Sequence, residues 1–234
     1  MRKQSPVLRK RDSTMQLKTQ QNLDYSDVVA NNAMNRERGL VGVNSYEKEL
    51  RFSIVDFLRE RLKKQPQVAW LDLCCGKGYA LQQASQIFST NELVIYAVDL
   101  VGDFVQVPGA QFTVGSLPQA LPKRCFDLIT CVHGLHYIAD KLQVIFRASQ
   151  LLNAKGVFLA NLDHRNIKST SGKTLRGIVK LLSTSPCKYS AHILHISSEM
   201  GTIPFAFMGA DDKAGANYTG QPVVDSYYDF LSKA

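Results

Sequence analysis

Leu71-Asp72-Leu73-Cys74-Cys75-Gly76-Lys77-Gly78 is the spacing in this chain best suited to chemistry. Apolar residues run into a tight turn with two glycines and then into a helical pattern. Gly76 and Gly78 remove the Cβ atoms that would keep a ligand away from the backbone, and the helix that follows offers free amides near its N-terminus. This predicts a nucleotide-like ligand at the end of a first strand. A second apolar run ends at Asp99, 23 residues after Gly76, where a carboxylate can accept hydrogen bonds from both hydroxyls of a ribose. His133 and His136 follow another apolar run, in Cys131-Val132-His133-Gly134-Leu135-His136-Tyr137. Either imidazole could take a proton from an acceptor near neutral pH, and a packing role under the next helix fits the same residues. Two histidines three apart also raise a metal site, but no further cysteine or carboxylate set has ligand spacing, so no metal is expected.

These residues need a scaffold that brings strand ends together. A helix signal begins at Asn44, which can accept from the amide of Glu47 while Glu47 reaches back. Leu50, Ile54, Phe57, Leu58 and Leu62 continue at helical spacing, and Pro66 ends the run. Short apolar runs then alternate with helical segments. Strands are predicted at 68–73, 93–98, 112–114, 126–132 and 157–162, and helices at 78–88, 138–152 and 175–182. Runs apolar on both faces are what a parallel sheet covered by helices requires. Two last strands, 192–196 and 203–207, are separated by only six residues with Gly201 available for a turn. So short a link allows a hairpin and no parallel crossover. The expected fold is therefore α/β, a Rossmann-like seven-stranded sheet, mostly parallel with a terminal antiparallel hairpin and helices on both faces. Four segments are expected: a basic disordered tail at 1–21, an N-terminal helical cap at 22–66, the main domain at 67–210 and a C-terminal extension at 211–234.

With the glycine turn, Asp99 and the closing hairpin, the stretch from about 44 to 208 resembles the class I S-adenosylmethionine-dependent methyltransferases. Asp72 stands at the position of that family's first-motif acid, beneath the methionine part of the cofactor, and Asp99 at that of its ribose-binding acid. Phe126-Asp127-Leu128-Ile129 resembles the fourth-strand motif, and Leu151-Leu152-Asn153-Ala154-Lys155-Gly156-Val157 the turn before the fifth strand. The resemblance implies cofactor contacts from Tyr46, Asp72, Cys74, Gly76, Gly78, Asp99, Gly115, Ser116 and Cys131, with Tyr46 as a lid. Three features depart from the family pattern. Cys74 replaces the usual first glycine, the link from Asp99 to Gln111 is too short for a full helix, and Gly115-Ser116 stands where an acid often meets the adenine amine. Ser116 could bond adenine through its hydroxyl or backbone. His133 or His136 is the expected general base, with Asp163-His164-Arg165 as a second group facing the acceptor.

Composition bounds the remaining choices. The net charge of +8 is concentrated at the start, where Arg2, Lys3, Arg9, Lys10, Arg11 and Lys18 face only Asp12, leaving about +3 for the rest. A basic arm can hold nucleic acid or anionic lipid; the modest charge of the remainder favours a small-molecule acceptor over RNA or protein. The five cysteines show no paired C-x-x-C spacing and read as reduced, small apolar residues. No apolar run reaches the roughly 18–20 residues that span a bilayer, and 1–21 holds no continuous apolar block of a secretory signal, so a cytoplasmic protein without membrane partners is expected. A nicotinamide oxidoreductase would want G-x-G-x-x-G, which the turn at Cys74 does not supply. A non-catalytic cofactor-binding protein on the same fold is a further alternative.

Overall fold

A computed structural model of the protein describes residues 16–30 and 37–231. Residues 1–15, most of the expected tail, lie outside this range. The remainder, 16–21, belongs to the fold, a correction to the tail boundary. Lys18 exchanges both backbone hydrogen bonds with Ala210 (2.7 and 2.9 Å), and its ammonium reaches Asp212 at 2.6 Å. Helix α1 (Gln20–Leu23) starts immediately after, capped by the Thr19 hydroxyl. Polar residues conceal this docking, because the attachment is made largely by backbone and by one ion pair.

After α2 (Asp27–Ala30), the single helix expected from Asn44 to Pro66 is two: α3 (Tyr46–Leu50) and α4 (Ile54–Leu62). Ser45, not Asn44, caps the first, accepting from Lys48 N. Arg51 turns left-handed at φ 49°, Ser53 caps the second helix, and Glu47 accepts from Val55 N at 2.9 Å instead of reaching back. The unbroken apolar stripe concealed this break, since both helices bury the same side.

The main sheet has the order β3-β2-β1-β4-β5-β8-β7. Its strands are β1 (Val68–Leu73), β2 (Leu93–Asp99), β3 (Gln111–Val114), β4 (Phe126–Cys131), β5 (Leu152–Asn161), β7 (Cys187–Ser190) and β8 (Ile193–Ile196). β1 to β5 are parallel; β8 runs antiparallel to β5, and β7 antiparallel to β8. The mostly parallel seven-stranded sheet with a closing hairpin is thus present, but the hairpin is not the pair expected. Ala191 and His192, at φ 48° and 63°, join β7 to β8. Two residues at positive φ form the turn that suits strand twist, yet Ala-His carries none of its usual sequence signature. The run expected at 203–207 opens β9 (Phe205–Asp211), which pairs with β10 (Asp225–Phe230) in a separate sheet of order β6-β10-β9, with β6 at Ile167–Ser169. A boundary at 210 would therefore cut one sheet in two.

Helices cover both faces. α5 (Tyr79–Ile87), with α3 and α4, packs around Trp70, Ile95 and Leu128 on one side. α6 (Lys141–Ser149) and α7 (Ile178–Leu182) pack around Leu71, Ile129 and Phe158 on the other. The small sheet is held to α6 by buried Lys141, whose ammonium donates to Ile138 O, Val224 O and Ser226 Oγ at 2.8–2.9 Å. Between β2 and β3 the chain is irregular, as the short link requires.

Candidate functional site

β1 is flanked by β2 and β4, so the chain's crossovers diverge on either side of it, and ligands of open α/β sheets settle at the carboxyl ends of such strands. A cavity lies there. Its walls include Cys74 and Gly76 after β1, Asp99–Val101 after β2, Gly115–Leu117 after β3 and Val132–Gly134 after β4, with Gln20, Asp24 and Val29 from the N-terminal segment.

The turn after β1 is built on left-handed backbone. Cys74, Gly76 and Gly78 have φ of 56°, 60° and 84°. Cys74 thus keeps the conformation that favours glycine. At Gly78 a Cβ would come within 3.2 Å of the Phe112 ring. Gly78 also caps α5 with no side-chain bond, leaving first-turn amides available. Asp99 locks the turn: its carboxylate accepts from Gly76 N at 2.8 Å and Val101 N at 3.0 Å. The Ser116 hydroxyl is buried and makes no hydrogen bond with the described residues, although it lines the cavity.

Asp72 sits below this floor, wholly buried. It accepts from Thr130 Oγ1 at 2.6 Å and from Tyr46 Oη at 2.8 Å, and Trp70 Nε1 donates to the same threonine at 2.8 Å. Burial pushes its carboxyl up to about 7 against the pull of these two donors. Tyr46 is therefore a core residue under the floor; its place is not that of a lid. Cys131 is buried as well. A Cβ at Gly134 would lie 2.4 Å from Cys74 Cβ and 2.9 Å from Cys131 Sγ, so the helical turn after β4 can approach β1 only because residue 134 is glycine.

A second pocket adjoins the first. It is lined by Arg38, Glu49, His133, His136, Tyr137, Tyr218, Thr219 and Gln221. His133 and Tyr137 line both. His133 has φ 59°, and its amide donates to Asn161 Oδ1 at 3.3 Å. Asn161 Nδ2 in turn donates to Glu49 O at 3.1 Å. The Glu49 carboxylate stands 2.9 Å from His133 Nε2 and 3.6 Å from Arg38 Nε; the hydrogen bond from His133 lowers its carboxyl against the opposing effect of burial. His136 lines only the second pocket. Burial, reinforced by His133 and Lys141, pushes its imidazole down to about 3, so it is neutral at physiological pH. Its Nε2 is 3.4 Å from Tyr218 Oη, and the Tyr218 ring stacks on His192 at 3.9 Å. Asp163 is taken up by Arg165, and His164 by Tyr189; none of these lines either pocket.

A family described as a methyltransferase domain matches residues 44–192. The chain belongs to this family of class I S-adenosylmethionine-dependent methyltransferases. No curated protein matches it in sequence. Among solved structures it is similar to the plantazolicin methyltransferase BpumL in complex with a triazolic desmethylPZN analogue and SAH, at 15% identity over 45% of this chain and 42% of that chain, TM-score 0.39. It is similar to YjhP from E. coli at 16% identity, 57% and 54% of the two chains, TM-score 0.40. It is also similar to the [4+2]-cyclase SpnF at 19% identity, 46% and 43%, TM-score 0.36. The alignments span about half the length of these structures.

Of the methyltransferase residues expected from sequence, the first cavity gathers Cys74, Gly76, Asp99, Gly115, Ser116 and His133 at its walls. Gly78, Asp72, Tyr46 and Cys131 are not among the residues that line it. Sequence reading missed Gln20, Asp24, Arg38, Glu49, Asn161 and Tyr218. Asn161 alone left a signal, a polar residue near the end of an otherwise apolar strand. Among the described residues no cluster of His, Cys, Asp or Glu could hold a metal, and no helix is long and apolar enough to cross a membrane.

Proposed function

We propose that the protein transfers a methyl group from S-adenosylmethionine to a small polar acceptor seated in the second pocket. The observation that carries this reading is the shared wall: His133 and Tyr137 line both cavities, so a donor in one and an acceptor in the other meet there. The first cavity suits the cofactor on the chemistry of its groups. Asp99 would take the ribose hydroxyls, and the unpartnered Ser116 hydroxyl and the Gly115 backbone the adenine. The turn at Cys74–Gly78 would lie against the remainder, with Asp72 beneath its methionine end.

Bound S-adenosylmethionine supplies an electrophilic methyl group on a sulfonium. The protein's part is alignment of an in-line displacement, since holding two reactants in register removes much of the barrier. Glu49, Arg38, Tyr218, Thr219 and Gln221 offer donors and acceptors suited to a hydrophilic molecule, and the pocket draws its lining from separate segments. Incubating the protein with methyl-labelled cofactor and a cell extract, then separating by mass, tests the assignment. Label in the low-mass fraction is the expected result; label confined to RNA or protein would overturn the small-molecule acceptor, and no label in any fraction would overturn the activity.

A further inference from the structure

His133 is the one histidine that touches both cavities, and three constraints fix it. Its backbone is left-handed at φ 59°. Asn161 holds its amide and, through its own amide, the backbone of Glu49. The Glu49 carboxylate meets Nε2 at 2.9 Å. A carboxylate only accepts hydrogen bonds, so neutral His133 must carry its proton on Nε2, leaving Nδ1 as a bare lone pair. That atom is buried and has no partner among the described residues. The first two constraints place the residue and the third holds its ring, leaving one ring nitrogen unclaimed where packing alone would be satisfied by an apolar ring.

We propose that His133 takes the acceptor's proton and that Glu49 and Asn161 are its positioning residues, so that the acceptor is a hydroxyl compound. The inference rests on the methyltransferase reading. The acceptor O–H proton passes to Nδ1, the oxygen's electron pair takes the methyl group, and the sulfonium leaves as a neutral thioether. No electron is gained or lost overall, and the proton departs to solvent after turnover. The imidazolium formed in between faces the Glu49 carboxylate, which stabilises it as the charge appears. The other groups near His133 are His136 and Tyr218 against its ring, Tyr137 in the same pocket lining, and Arg38, paired to Glu49. His136, its imidazole pushed down to about 3 by burial, supplies no competing titration in the neutral range.

Glu49→Gln tests the arrangement, because the amide oxygen can still accept from Nε2 while the charge is lost. The probe is methyl label transferred from S-adenosylmethionine into the low-mass extract fraction, followed from pH 6 to 9. Turnover should fall roughly 10–100-fold, part of the 10²–10⁴-fold that proton transfer contributes. The alkaline-rising limb should move to lower pH, and S-adenosylhomocysteine affinity should stay unchanged. Wild-type turnover with an unmoved limb in Glu49→Gln would overturn the role of Glu49 while leaving the methyltransferase reading intact. Absence of label with the wild-type protein would overturn that reading itself. Nitrogen-15 spectra of the wild-type histidines give a decision that does not depend on the variant folding: His133 should show the Nε2–H tautomer, and an Nδ1–H tautomer would overturn the proposal.

Discussion

The two pockets that meet at His133 are built by different means. The first is lined chiefly by turn residues at the ends of β1 to β4, joined by Gln20, Asp24 and Val29 from the N-terminal segment. The second is made of side chains from segments far apart in the sequence, Arg38 and Glu49 before the first strand and Tyr218 to Gln221 between the strands of a different sheet. A ligand bound at the strand-end turns of a shared fold can be common to many proteins; a ligand bound by residues gathered from distant segments is specified chain by chain. The division matches a shared methyl donor and a particular acceptor, and substitutions should separate the two.

The largest effect is expected at the shared wall. His133→Ala should lower methyl transfer by about 10²–10⁴-fold while S-adenosylhomocysteine affinity, read by calorimetry, changes far less. Equal losses in both would merge the two pockets into one functional unit.

Below the first pocket, Asp72 should govern stability rather than turnover. Its folded-state pKa of about 7 lies above its ordinary 3.8. Its contribution is therefore fully present below about pH 4 and lost as pH rises through 7, a change on the order of 4 kcal/mol. Denaturant midpoints at pH 5, 6, 7 and 8 should decline in the wild type and flatten in Asp72→Asn; a parallel decline in both would assign the pH dependence to another group.

Within the first pocket, Asp99→Ala should weaken cofactor binding by roughly 1–3 kcal/mol, the scale of losing hydrogen bonds to a charged group. Acceptor saturation should be unaffected. The smallest effect belongs to the second pocket: Tyr218→Phe keeps the ring stacked on His192 but removes the hydroxyl near His136. The acceptor KM should rise by an amount equivalent to about 0.5–1.5 kcal/mol, with cofactor affinity constant. A change confined to cofactor affinity would reverse the assignment of the pockets.

The same difference in construction explains what the sequence disclosed. Gly76, Gly78 and Asp99 belong to turns whose conformation is local, so spacing alone located them, and the alternation of apolar runs predicted the parallel sheet they terminate. Ala191-His192 concealed the true hairpin because neither residue advertises positive φ. Glu49 looked like any charged position on an amphipathic helix; His133 at its carboxylate and Asn161 at its backbone oxygen lie 84 and 112 positions further along the chain. Gln20 was hidden in a basic stretch, although its side chain accepts from Ala139 N at 2.8 Å and its residue lines the first cavity. Long-range side-chain assembly leaves no period to read.

On the proposed function, the cavity at the ends of β1 to β4 holds S-adenosylmethionine. Titration calorimetry of the purified protein with S-adenosylmethionine, S-adenosylhomocysteine and NAD, taken separately, tests it most directly. Saturable heat is expected with both sulfur compounds at one site per chain, weakened by Asp99→Ala, and none with NAD. Saturable heat with NAD and none with either sulfur compound would contradict it.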